Sequence, residues 1–307
     1  MAGFPGCIGS SDASHIVMEV CPYRLHQLHL GYKLCHTART YNITVNHRRR
    51  ILNSTKGHPA RFNDKTLVLY DDLINALHDG KYDNSHKFTL LSYDNDGNII
   101  NVKYRGCYVI VDNGYLSWSV TVPPLKETNK RSEIRFSEWL ESLRKDVECT
   151  FEIFESRWRV LRYGIRMHGL LACDRTWLTC LSLHNMLLEV DGLHTKWSDG
   201  YRSHWESMDD MDIPDEMPYS IRRLLKPGSQ RISDISKKGH GNDFTFTNDS
   251  TDDISDNIIP VIDSEGYISV KDMSLSCFRK RLVVHFNIAF KQNKLVWPRR
   301  NKDYLYK

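Results

Sequence analysis

Cys107-Tyr108-Val109-Ile110-Val111-Asp112-Asn113-Gly114 is a continuous apolar run that ends abruptly in an acid, an amide and a glycine. Five apolar or aromatic residues without alternation predict a strand buried on both faces, as at the centre of an α/β sheet. A carboxylate just past such a strand sits at the sheet end, where open α/β sheets bind ligands. The competing reading of Asp112 is an acid that only shapes an Asx-turn.

Upstream, residues 88–93 and 99–104 flank Asp94-Asn95-Asp96-Gly97 and predict a hairpin. Asn63-Asp64 caps a helix predicted through His78, closed by Gly80. Tyr41–Asn46 alternates, a basic turn His47-Arg48-Arg49 follows, and residues 51–55 complete a second hairpin. Residues 15–20 read as the first strand, with Asp12 in a Gly-Ser-rich loop directly before it. Downstream, Trp139, Leu140, Leu143, Val147, Phe151, Phe154 and Trp158 recur at helical spacing and predict a helix over 137–162. A second helix is expected from an Asp174 N-cap to Glu189, with Gly192 past its end, and a last one over 274–290. This order predicts an α/β fold, a mixed sheet covered by helices.

The 307 residues allow one large domain or two ordinary ones, and 40 % are apolar. Between Asp191 and Asp256, 14 acidic residues face 8 basic ones, so the rest of this +4 chain carries about +10. A basic body with an acidic appendage suits a polyanion such as nucleic acid. The expected organisation is a domain over 1–190, an acidic, disordered linker over 191–257, and a helical segment over 258–307 that docks on the body. Eight widely spaced cysteines, with no CxxC pair, read as reduced thiols. Cys21, His26, His29 and Cys35 fit no standard zinc spacing. No apolar run approaches the roughly 18 residues of a membrane span, so no membrane association is expected.

Phosphodiester cleavage needs activated water and a neutralised leaving oxygen, which two divalent ions held by carboxylates supply. Asp112 is the first candidate ligand. Asp12 and Glu148, the latter beside the apolar stripe of the long helix, are the others, with Glu152 and Glu155 competing on the same helix. His47, Arg48, Arg49 and Arg50, with Lys65, Arg157, Arg159 and Arg162, are candidate phosphate contacts. Taken singly, each reads more readily as solvated surface charge. His184 reads as a core histidine and Trp118 as a packed aromatic, with base stacking as the alternative for Trp118.

Read together, these stretches resemble one family. They are Gly6-Cys7-Ile8-Gly9-Ser10-Ser11-Asp12-Ala13-Ser14-His15, Arg39-Thr40-Tyr41-Asn42, Gly57-His58-Pro59 and Asn63-Asp64-Lys65-Thr66. Ile110-Val111-Asp112-Asn113-Gly114-Tyr115, Arg144-Lys145-Asp146-Val147-Glu148, Arg157-Trp158-Arg159 and the run from Trp177 to Leu188 follow in order. Over roughly residues 4–195 the chain resembles a PIF/Harbinger-type transposase of the plant transposon protein group, in the DDE nuclease superfamily. The resemblance implies an RNase H-like fold and a triad of Asp12, Asp112 and Glu148, with 35 residues between the last two. It implies two Mg²⁺ or Mn²⁺ ions, DNA as substrate, strand cleavage and transfer at one site, and a nuclear location. The oligomeric state stays open.

Two departures from the family pattern stand out. Met1 falls eleven residues before Asp12, so no N-terminal helical DNA-binding region is expected; the readings are a truncated gene product or DNA recognition supplied by a separate Myb-like partner. Where the family commonly has Phe-Gly-Ile-Leu-Lys-Gly-Arg, this chain has Phe151-Glu152-Ile153-Phe154-Glu155-Ser156-Arg157, which adds two negative charges. The two functional expectations are therefore an active metal-dependent endonuclease and a non-catalytic remnant that binds DNA or a nuclear partner.

Overall fold

The computed structural model describes residues 3–31, 36–192 and 262–295; the acidic segment expected after Asp191 lies almost wholly outside them. The chain begins with β1 (Cys7–Val17), α1 (His26–His29), β2 (Ala38–Val45), β3 (Ile51–Ser54) and β4 (His58–Pro59). Next come α2 (Asp64–Val68), α3 (Asp72–His78), β5 (Lys87–Tyr93), β6 (Ile99–Arg105), β7 (Tyr108–Ile110) and β8 (Thr121–Val122). The helices α4 (Arg131–Arg157), α5 (Arg159–Arg162) and α6 (Leu170–Val190) follow, then β9 (Tyr267–Ser269) and α7 (Leu275–Lys291).

The main sheet has the order β3-β2-β1-β7-β8, with β4 beside β2. β1, β2 and β3 are antiparallel neighbours, whereas β7 joins β1 in parallel and β8 joins β7 in parallel. This mixed sheet flanked by helices is the RNase H-like α/β arrangement. A smaller sheet, β5-β6-β9, is formed by the 94–97 hairpin and a strand from the C-terminal segment. No described helix is long and apolar enough to cross a membrane, and no disulfide joins the described cysteines.

Two apolar cores hold the helices to the sheet. Val147, Phe151 and Phe154 of α4 and Cys173, Trp177 and Cys180 of α6 pack with Ile16, Tyr41, Ile43 and Val45. Trp177 stacks on Tyr41 at 4.4 Å, meets Phe154 edge-on, and donates from Nε1 to Ser54 Oγ at 2.8 Å. The N-terminal half of α4, through Phe136 and Leu140, shares the other core with β7, α3 and the α7 residues Phe278, Leu282 and Phe286. The long helix therefore runs across both cores, and its middle turns lie over β1.

Several boundaries differ from the sequence expectation. The first strand is Cys7–Val17, so Asp12 lies inside it and not in a loop before it. Gly-Ser-Ser-Asp-Ala-Ser has low β propensity, but pairing on both sides overrides it. Gly9 permits this pairing, since a Cβ there would stand 2.0 Å from the Val45 carbonyl oxygen. The helix expected over 64–78 is two helices. Asn63 caps α2 by accepting the Thr66 N–H, and Asp71 caps α3 by accepting those of Leu73 and Ile74. Asp174 is no cap either. It lies one turn inside α6 and accepts Nε and Nη2 of Arg39 at 2.8 and 2.7 Å and the Tyr41 hydroxyl at 2.9 Å. The last helix, expected over 274–290, is α7, and Ser274 caps it by accepting the Cys277 N–H.

Candidate active site

In the parallel pairing of β1 with β7, Ser10 is level with Ile110. Asp12 and Asp112 follow two residues later, near enough at the end of the buried strand for the charge of Asp112 to act on Asp12. Asp112 is half-buried, and its Oδ1 accepts the Gly114 N–H at 2.8 Å. The Asx-turn and the sheet-end acid are thus one arrangement, because the turn aims the carboxylate. The space beside it is kept open by Gly114. A Cβ there would lie 2.7 Å from Asp64 Oδ2 and 3.0 Å from Asp112 Oδ1. Asp64, the first residue of α2, is therefore a fourth acid at this point. Its signal was present in Asn63-Asp64, but helix-start logic absorbed it.

A buried polar network fixes the loop after Asp112. The Tyr115 hydroxyl donates to Asn42 Oδ1 at 2.6 Å, and Asn42 Nδ2 donates to Asp71 Oδ2 at 2.7 Å and Ser11 Oγ at 3.1 Å. Asp71 also accepts Asn53 Nδ2 at 2.9 Å. β1, β2, β3, α3 and the 112–115 loop are thus locked together beneath the acids. Burial holds the Tyr115 hydroxyl protonated, and Asp12, Asp64 and Asp112 reinforce this.

Glu148, on α4, is joined to Asp12 through a cation. Arg144 Nη1 lies 2.7 Å from Glu148 Oε1 and 3.6 Å from Asp12 Oδ2, while its Nε donates to Glu141 at 2.9 Å. Burial pushes the Asp12 carboxyl up to about 7. Asp112 and Asp64 add to this, and the Ala13 N–H and Arg144 oppose it. Among the described residues no three acidic, histidine or cysteine side chains are closed tightly enough to hold a metal ion as they stand. The donor set nevertheless suits a hard divalent cation: carboxylate oxygens, an open cradle at Gly114, and a guanidinium already between two of the acids. Asp12, Asp112, Glu148 and Asp64 are the residues that could hold one.

The basic turn at 47–50 lies apart from these acids, whereas Lys65 directly follows one of them. Asp12 is opposite Ile43, and the β2–β3 turn, closed by the Arg49 N–H donating to the Asn46 carbonyl, begins three residues further along, roughly 10 Å at ~3.3 Å per residue. Arg48 is exposed, Arg49 has a φ of 59°, and Arg50 pairs with Glu189 of α6. His47 is half-buried, and burial holds it below the usual histidine range. Arg157 approaches the same end of α6, 3.6 Å from Asp191. Lys65 is exposed beside Asp64, and Arg159 is exposed at the start of α5.

His184 and Trp118 are packed into the fold. His184 is fully buried under this turn, with Nε2 3.0 Å from the Arg49 carbonyl, and burial lowers its pKa to about 4. Trp118 stacks on His78 at 4.1 Å. Glu152 is exposed, whereas Glu155 is half-buried and pushed up to about 7, chiefly by burial.

A family model described as plant transposon protein matches residues 1–195, the stretch that builds the main sheet, α4 and α6. No curated protein and no solved structure matches the chain.

Proposed function

We propose, from the premise that the chain belongs to the plant transposon protein family, that it is the catalytic body of a PIF/Harbinger-type DDE transposase that cuts DNA phosphodiester bonds. The observation that carries this reading is the juxtaposition of Asp12 and Asp112 by the β1–β7 register, with Glu148 tied to Asp12 through Arg144. Two Mg²⁺ or Mn²⁺ ions, when bound, would supply water or 3′-hydroxyl activation and neutralise the leaving oxygen. In this reading Asp12, Asp112 and Glu148 are the ligands, and Asp64 stands beside Asp112 as a further acceptor. The Tyr115–Asn42–Asp71 network holds the Asp112 loop in register, so that its carboxylate would be positioned for a cation. Such preorganisation matters because ångström displacements at a reacting centre cost about 10²-fold in rate.

The basic turn at 47–50, with Arg159, would grip the backbone of the same duplex, whereas the Arg157 side chain, 9 % exposed and beside Asp191, is buried away from it. A separation of roughly 10 Å corresponds to about three nucleotides at ~3.4 Å each, so one strand can touch both regions. Lys65 would contact phosphate next to the acids. Nuclear residence and a Myb-like DNA-reading partner belong to this proposal.

The second reading, a non-catalytic DNA- or partner-binding protein, draws on Glu152 and Glu155, which add negative charge to the turns of α4 that follow Glu148. Nicking of supercoiled plasmid in Mn²⁺ decides between them. Cleavage by the parent and none by Asp112→Asn is the expected result. DNA binding with no cleavage by either protein would establish the second reading.

A further inference from the structure

Arg144 is the residue at the acid site that neither a simple ion-pair role nor a metal-ligand role accounts for. It lies on α4 one turn before Glu148, in the order Arg-then-Glu, the weaker orientation for an i,i+4 helical pair. Its exposure is only 15 %, and one nitrogen, Nη1, faces both Glu148 and Asp12, residues from different elements. A helix-stabilising pair would not need the strand acid. A guanidinium in this place does what a bound cation does there: it offsets the repulsion between two carboxylates converging on one point.

We infer that Arg144 is a positioning residue that stands in for the divalent ion, holding Asp12 and Glu148 together in the metal-free protein and leaving when the ion arrives. The inference rests on the metal-dependent reading above. One positive charge shared by two carboxylates leaves a net negative charge, so a doubly charged ion is favoured in its place. The exit is built in, because Nε already donates to Glu141, one turn back on the helix at 2.9 Å. Rotation of the guanidinium toward Glu141 keeps its charge paired and frees both triad oxygens. Arg144 thus keeps the empty site from splaying, and it competes with the metal for the same oxygens.

The test is calorimetric titration of the full chain with MnCl₂, comparing the parent with Arg144→Gln, Arg144→Lys and Asp112→Asn. Loss of two partly exposed ion pairs that metal binding must break predicts about tenfold tighter Mn²⁺ binding by Arg144→Gln. Arg144→Lys, a cation without the planar fork, should fall between. In EDTA, Arg144→Gln should melt below the parent, and Mn²⁺ should close that gap. A purely structural lesion would weaken binding or leave it unchanged, so tightening is specific to competition. Equal or weaker binding by Arg144→Gln, with the parent binding and Asp112→Asn not, would overturn the inference and leave the metal reading intact. Absence of binding by the parent and both Arg144 variants would overturn both.

Discussion

Asp174→Ala should be among the most damaging single changes outside the acid site. Its carboxylate takes three hydrogen bonds, from Arg39 Nε and Nη2 and from the Tyr41 hydroxyl, all from β2. The Arg39 side chain is 6 % exposed and that of Asp174 15 %, so water cannot replace the lost partner. Hydrogen bonds to charged groups contribute about 1.5–3 kcal/mol each, yet desolvation of the pair offsets much of that sum. Removing one member leaves a buried guanidinium without its counter-charge, which costs about 3–5 kcal/mol. Equilibrium urea unfolding, followed by circular dichroism and tryptophan fluorescence, should show that loss as a lower midpoint with little change in slope. Arg39→Met combined with Asp174→Leu should recover most of it, leaving about 1 kcal/mol for the stranded Tyr41 hydroxyl. A loss below about 1 kcal/mol for Asp174→Ala would refute the reasoning, since that is the scale of a solvent-screened surface pair.

Two further outcomes follow from the same structure. His184 is fully buried with a folded pKa lowered to about 4 from 6.5, so it is neutral in the folded state while the unfolded chain takes up a proton below about 6.5. Its contribution is therefore lost as pH falls from about 6.5 to about 4, by roughly 3 kcal/mol in all. His184→Gln should flatten the pH dependence of the urea midpoint in that window, and an unchanged profile would count against the assignment. Gly114→Ala places a methyl against the movable ends of Asp64 and Asp112, not against backbone. The fold should survive with a near-parental melting point while Mn²⁺-dependent nicking drops about 10²-fold, and full activity would contradict the cradle.

The buried strand before Asp112, the two hairpins, the α4 stripe and the last helix were all legible in the sequence. Each depends on local periodicity or on a cap or turn residue within a few positions. The acids were legible as candidates only. Asp12 looked like a loop residue because Gly-Ser-Ser-Asp-Ala-Ser carries no strand signal of its own, and only the flanking strands β2 and β7 make it one. Asp174 looked like a cap because its partner Arg39 is 135 residues away in the chain. Asp64 and Arg144 gained their meaning in the same way, from Gly114 on a loop and Asp12 on a strand. The sequence by itself determined the longer helices, the hairpins and the buried strand, and which residue types are chemically able to act. Only the tertiary structure decided which of those charges meet, because long-range pairing brings together side chains that no local pattern links.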